Sequence, residues 1–200
     1  MPVQIGQMLD RYRIEEEIGA GGMGVVYRAR DERLGRIVAI KVLRAGLLSE
    51  PGSRRRFRNE ALMLSKLNHP VIQIIHDFDE IEGTDYLITE LVPGLSLDQR
   101  VRAGPLPEKQ IVRIGAQLAQ GLAAAQAPGI LHQDLKPANL RVSGEGHLKI
   151  VDFGLATLSN EAILQMSKTL SASDVPSGVA GTVPYMSPEQ LLGNEVDETQ

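Results

Sequence analysis

The stretch Ile18-Gly19-Ala20-Gly21-Gly22-Met23-Gly24-Val25-Val26-Tyr27 decides how the first half of this chain is read. It lies between two short runs, Ile14 to Ile18 and Val25 to Ala29, that carry β-branched and aromatic residues. Two such runs joined by a glycine cluster predict a β-hairpin. A dinucleotide-binding glycine fingerprint would open a helix after its third glycine, whereas Val25-Val26-Tyr27 favours a strand. A Walker loop would need Gly-Lys-Ser/Thr, which is absent. Glycines without Cβ let a backbone lie close over phosphate oxygens. The same spacing also suits a plain hairpin turn, so residues farther along must separate the two readings.

Outward from the hairpin, Asp31 to Gly35 reads as a turn and Ile37-Val38-Ala39-Ile40-Lys41-Val42 as a third strand. After Pro51-Gly52 the period changes. From Arg54 to Leu67, Phe57, Ala61, Leu64 and Leu67 fall on one helical stripe, and Asn68-His69-Pro70 stops the helix. Val71 to Ile75 and Tyr86 to Val92 flank the turn-like Glu82 to Asp85 and predict another hairpin, which Pro93-Gly94 closes. Glu108 to Ala125 then places Ile111, Ile114, Leu118 and Leu122 at helical spacing. Strands first and helices second make the fold class α+β.

Composition excludes several functions. The 200 residues are 42% hydrophobic and 23% charged, as in globular proteins. The net charge of -4 gives no basis for binding nucleic acid, and Arg54-Arg55-Arg56 with Arg58 reads as a solvated helix start. With no cysteine, disulfides, thiolate metal sites and cysteine nucleophiles are ruled out. No apolar run approaches membrane-spanning length and the first residues lack a signal-peptide pattern, so a cytoplasmic location is expected. His69, His76, His132 and His147 are scattered without zinc spacing, and His132 reads as a packing residue.

Strand alternation puts Ala39 and Lys41 on one face, opposite Val38 and Ile40. A small residue beside a cation suits a flat base packed on Ala39 and phosphates held by Lys41. Glu60 lies inside the apolar stripe of its helix, three residues after Phe57 and four before Leu64. A carboxylate there is costly unless paired, and Lys41 is the expected partner.

Farther along, His132-Gln133-Asp134-Leu135-Lys136-Pro137-Ala138-Asn139 leads into the short strand Leu140 to Val142. Ser143 to Gly146 turns the chain back through Leu148 to Val151 to Asp152-Phe153-Gly154, which brings Asp152 near Asn139. An amide and a carboxylate brought together there offer two oxygen ligands, which suits Mg²⁺, a cation that takes few protein carboxylates.

Taken in order, these motifs resemble the catalytic domain of eukaryotic-type Ser/Thr protein kinases, in their details most like the bacterial members. The glycine loop, Val38-Ala39-Ile40-Lys41, Glu60, the octapeptide, Asp152-Phe153-Gly154, Gly181-Thr182-Val183-Pro184-Tyr185 and Ser187-Pro188-Glu189 carry the resemblance from Gly19 to Glu189. It implies a kinase-like fold: an antiparallel β N-lobe with one key helix over residues 1–92, and a partial, mainly helical C-lobe over 93–200. It implies ATP and Mg²⁺ as cofactors and protein serine or threonine as acceptor, since Lys136 with Thr182 is the family's Ser/Thr-specific combination. Lys41, Glu60, Asp134 and Lys136 are the implied catalytic residues, with Asn139 and Asp152 on the metal. The implied nucleotide-binding residues are Ile18, Gly19, Ala20, Gly21, Gly22, Gly24, Val26, Ala39, Lys41, Thr89, Glu90, Val92 and Leu140. Glu90 and Val92 would meet adenine through their backbones, and Ser96 or Asp98 is the candidate for the ribose.

Two departures qualify the resemblance. Gln133 stands where most such kinases carry an arginine that pairs with a phosphorylated activation segment, so activation is expected not to depend on phosphorylating Thr169, Ser171 or Ser173. The chain also ends at Gln200, before the family's later helices and the usual partner of Glu189. The 200 residues alone are therefore expected to be poorly stable and weakly active. The alternative reading is a truncated, inactive kinase-like module that binds nucleotide or regulates.

Overall fold

The computed structural model describes residues 3–48, 52–153 and 185–188. Strand β1 (Met8–Leu9) borders the predicted glycine hairpin, formed by β2 (Tyr12–Gly21) and β3 (Gly24–Asp31). Register shifts between Ile14 and Glu16 and between Glu17 and Gly19 bend β2 toward its glycine end. The third predicted strand is β4 (Arg36–Leu43), and helix α1 (Ser53–Leu64) follows it. Strands β5 (Ile75–Ile81) and β6 (Thr84–Glu90) close an antiparallel sheet in the order β1-β2-β3-β4-β6-β5.

The hairpin expected around residues 82–85 is present, turning at Glu82 and Gly83, both at positive φ. Its first strand, however, is Ile75–Ile81 and not Val71 to Ile75. Val71 and Ile72 are buried in a different cluster, with Ile72 bridging Ile150 in parallel. The more polar segment takes the place at the sheet edge, where one side of the strand meets solvent.

Alternation along β4 sorts two cores. Val38 and Ile40 pack with Tyr12, Ile14, Tyr27, Ala29, Tyr86 and Ile88 on one face of the sheet. Leu43, of the same parity as Ala39 and Lys41, packs on the other with Leu48, Phe57, Ala61 and Leu87, under α1. Each fully buried aliphatic residue there contributes about 1.5–3 kcal/mol. Phe57, Ala61 and Leu64 face inward as the helical stripe requires. Arg54 is not merely solvated: its Nε lies 2.9 Å from Asp85 Oδ1 and its Nη1 3.0 Å from Glu80 Oε2, which pins the start of α1 to the β5–β6 hairpin.

Beyond β6, β7 (Leu95–Ser96) leads into α2 (Leu97–Arg102) and α3 (Glu108–Gln126). A 3-10 turn over Pro137–Asn139 precedes β8 (Leu140–Val142) and β9 (Leu148–Ile150), which with β7 form a three-stranded sheet in the order β7-β8-β9. Ile114 of α3 packs with Leu118 and Leu122 against Val71, Ile72, Val142 and Ile150. Ile111, expected on the same stripe, is 55% exposed and leaves the inward face one turn shorter. Among the described residues no helix is long and apolar enough to cross a membrane.

Candidate active site

Lys41 and Asp152, 111 positions apart, meet in the cleft between the two sheets: Nζ lies 3.0 Å from Oδ1. Asp152 follows β9, and the N–H of its neighbour Val151 donates to the Asn139 carbonyl at 2.9 Å. That bond closes the loop between β8 and β9 and holds Asp152 beside Asn139, as the hairpin length required.

Asn139 is buried and its Nδ2 donates to Asp134 O at 2.8 Å and to Asp134 Oδ2 at 3.1 Å. With both amide hydrogens committed there, Oδ1 is the atom its side chain has for a cation. Lys136 Nζ lies 3.0 Å from one Asp134 carboxylate oxygen and 2.9 Å from the other. Pro137, at the first position of the 3-10 turn, presets the backbone that carries Lys136 O to the Asn139 N–H. Gln133 and Asp152 both sit at φ 60, a left-handed conformation that non-glycine residues hold only where surroundings enforce it.

His132 braces this junction. It is buried, stacks at 4.5 Å between ring centres on Phe153, and accepts the Asp134 N–H at Nδ1. Nε2 therefore carries the proton and donates it to Val151 O at 3.1 Å. Burial holds its pKa below the ordinary histidine value. The packing role expected for His132 is joined by two hydrogen bonds: one within the octapeptide, to Asp134 N–H, and one that ties it to the segment bearing Asp152.

Glu60 differs from its expected pairing. Among the described residues the ion pair of Lys41 is with Asp152, not Glu60. Glu60 lines a pocket with Phe57, Ala61, Leu64, Ile75, Leu87 and Phe153. Helical period placed it on the inward face, but that face points at the residue following Asp152, and the lysine reaches the carboxylate across the cleft.

Around the predicted base position, Ala39, Val92 and Leu140 are buried, Val26 is half-buried and Ile18 is exposed. Gly19, Gly21 and Gly22 have open space where a Cβ would stand, whereas a Cβ on Gly24 would come within 2.0 Å of Val42 O. The last glycine thus serves packing of β3 on β4, and the first three leave the hairpin tip clear. Ser96, the ribose candidate, is buried at the start of α2, where its N–H donates to Gln99 Oε1 and its hydroxyl to Asp98. Both ribose candidates are thus engaged with each other at the start of that helix, which Ser96 and Gln99 cap.

Two residues the motifs did not single out complete the back of the cleft. Lys149 Nζ pairs with Glu90 Oε1, and Gln73 donates to Thr89 Oγ1 and Glu90 O. Gln73 was visible as the one polar residue in the run Val71 to Ile75. Gly154, Thr169, Ser171, Ser173, Gly181 to Pro184 and Glu189 lie outside the described residues; Tyr185 to Pro188 are described, with Tyr185 exposed.

The protein kinase domain profile matches residues 12–200. A probable serine/threonine-protein kinase PknB of Lactococcus lactis is 39% identical over 195 residues, covering 96% of this chain and 30% of that protein. Serine/threonine-protein kinase PknB of Mycobacterium leprae is 40% identical over 193 residues, covering 94% and 30%. The chain thus spans less than a third of the length of these relatives. The crystal structure of the Mycobacterium tuberculosis PknI kinase domain aligns over 98% of this chain and 71% of its own, with TM-score 0.75 and 26% identity. The glycine hairpin, the Lys41–Asp152 pair and the Asp134–Asn139 loop are thus parts of one inherited domain, and this chain belongs to the protein kinase domain family.

Proposed function

We propose that this domain transfers the γ-phosphoryl group of ATP to serine or threonine of protein substrates. One observation carries the reading: Lys41, Asp152, Asn139, Asp134 and Lys136 form one connected set of contacts, with Val151 N–H joining the Asp152 segment to Asn139, drawn from three separate parts of the sequence. Phosphoryl transfer asks chiefly for positioning and charge stabilisation, and this set supplies two ammonium groups, two carboxylates and an amide.

In this reading residues 1–92 hold the nucleotide and residues 93–200 carry the catalytic loop. Asp134 orients the acceptor hydroxyl and takes its proton as the new O–P bond forms and the bond to the ADP oxygen breaks. Lys136 offsets charge on the transferred group. Asn139 Oδ1 and the Asp152 carboxylate fit Mg²⁺, which when bound neutralises phosphate charge. Lys41, held by Asp152, binds phosphate oxygens. The backbone of Gly19 to Gly24 covers the phosphates, Ile18, Val26, Ala39 and Leu140 enclose the base, and Thr89, Glu90 and Val92 line its edge. The names of the relatives and Lys136 support a Ser/Thr acceptor.

The test is incubation with radiolabelled ATP and a generic protein substrate, comparing wild type with Asp134→Asn and Lys41→Met. Label on serine or threonine in the wild type, lost in both variants, supports the reading. Nucleotide binding without transfer in all three would mark a module that binds and does not phosphorylate.

A further inference from the structure

Gln73 lies between the end of β6 and the end of β9, with its side-chain amide engaged at both ends. Nε2 donates to Thr89 Oγ1 and to Glu90 O, each at 3.1 Å. Oε1 accepts the Asp152 N–H at 3.4 Å, and the Gln73 N–H donates to Ile150 O at 2.9 Å. A polar side chain in the run Val71 to Ile75 is costly unless its groups are satisfied, and here they are satisfied by the cleft's two functional edges.

Building on the reading of this domain as an ATP-dependent kinase, we propose that Gln73 is a positioning residue coupling the base-binding edge at Thr89 and Glu90 to the metal-binding carboxylate of Asp152. Asp152 holds a left-handed backbone at φ 60, and a bond to its N–H helps fix that conformation. At the other end, a base amino group that donates to Glu90 O shares this acceptor with Gln73. One amide thus answers both to base occupancy and to the placement of Asp152, so nucleotide and metal do not bind independently.

The test uses the intact chain and isothermal titration calorimetry with three probes: adenosine, ATP with EDTA, and ATP with Mg²⁺. The ratio of the two ATP dissociation constants is the metal gain. Gln73→Met keeps the length and loses the hydrogen bonds. It is expected to cut the metal gain about five- to tenfold while moving adenosine affinity by less than about twofold. Gln73→Glu keeps an acceptor facing the Asp152 N–H but has no N–H for Thr89 Oγ1 and Glu90 O, so the link is cut at the base edge and the metal gain is expected to fall here too. If Gln73→Met weakens all three ligands by one common factor, or none of them, the coupling is overturned. Should Gln73→Met fail to fold, a metal gain held within about twofold of wild type in Gln73→Glu overturns it instead. Failure of the kinase reading looks different, because it shows in the wild type itself, which would then bind neither adenosine nor ATP or would bind ATP without transferring label.

Discussion

Lys41 Nζ lies 3.0 Å from Asp152 Oδ1, which fastens β4 of the six-stranded sheet to the segment leaving β9. The lysine side chain is 12% exposed and the aspartate 36%. A pair open to solvent on one side is worth about 1 kcal/mol or less to stability. In the proposed function its value lies in placing a cation and a carboxylate at the same phosphates.

Lys41→Met should therefore separate stability from chemistry. The melting temperature is expected to move by no more than about 5 °C, while label transfer from ATP falls by more than about a hundredfold. Differential scanning fluorimetry and a phosphotransfer assay on the same preparation check this. A loss of transfer that merely tracks unfolding would reject it.

Close packing distinguishes two glycines of α3. At Gly121 a new Cβ would stand 2.9 Å from Ile150 Cδ1 and 3.0 Å from Val71 Cγ1, whereas at Gly115 nothing lies within 4 Å. Gly115→Ala is expected to stabilise by roughly 0.5–1 kcal/mol through helix propensity, and Gly121→Ala to destabilise by about 1–3 kcal/mol through overpacking. Urea melts of the two variants measure both, and effects of the same sign would contradict this account of α3 against β9.

How far the site could be read from sequence depended on how local its contacts are. Asp134, Lys136 and Asn139 sit within six residues, so their spacing already specified the loop they form. Alternation placed Lys41 with Ala39, since a strand of period two has little freedom once Val38 and Ile40 are buried. Glu60 shows the limit: helical period gives a residue's face but not which cation lies opposite. Gln73 lay further out of reach because its partners are 16, 17 and 79 residues away. Val71 to Ile75 misled for a related reason, since an apolar run buried between α3 and β9 looks the same in sequence as a buried strand.

Acid should weaken the fold through His132. Burial lowers its pKa in the folded chain below the 6.5 of a free histidine. As pH falls through that value, the unfolded chain takes up a proton that the folded chain refuses, so stability present above pH 6.5 is lost below it. His76, lowered by burial and then by Arg36, acts in the same direction. Melting temperatures from pH 8 to 5 should decline with a steeper slope in wild type than in His132→Gln. Equal slopes would mean that His132 titrates alike in both states.

The last prediction concerns the proton. Asp134 receives Lys136 Nζ on both carboxylate oxygens and Asn139 Nδ2 on one of them. Asp134→Asn keeps size and shape, but puts an NH₂ where one of these donors now finds an oxygen, and removes the group proposed to take the hydroxyl proton. Because these contacts are polar and the loop stays anchored by Val151 N–H on Asn139 O, the fold should survive. ATP affinity should stay within about threefold of wild type, since the role proposed for Asp134 is toward the acceptor and not the nucleotide. Transfer should fall by about 10²–10⁴-fold, the usual contribution of a positioned acid–base group. Binding by calorimetry and transfer by radiolabel, measured side by side, decide it: transfer retained within tenfold would remove Asp134 from the proton's path and reassign it to holding Lys136.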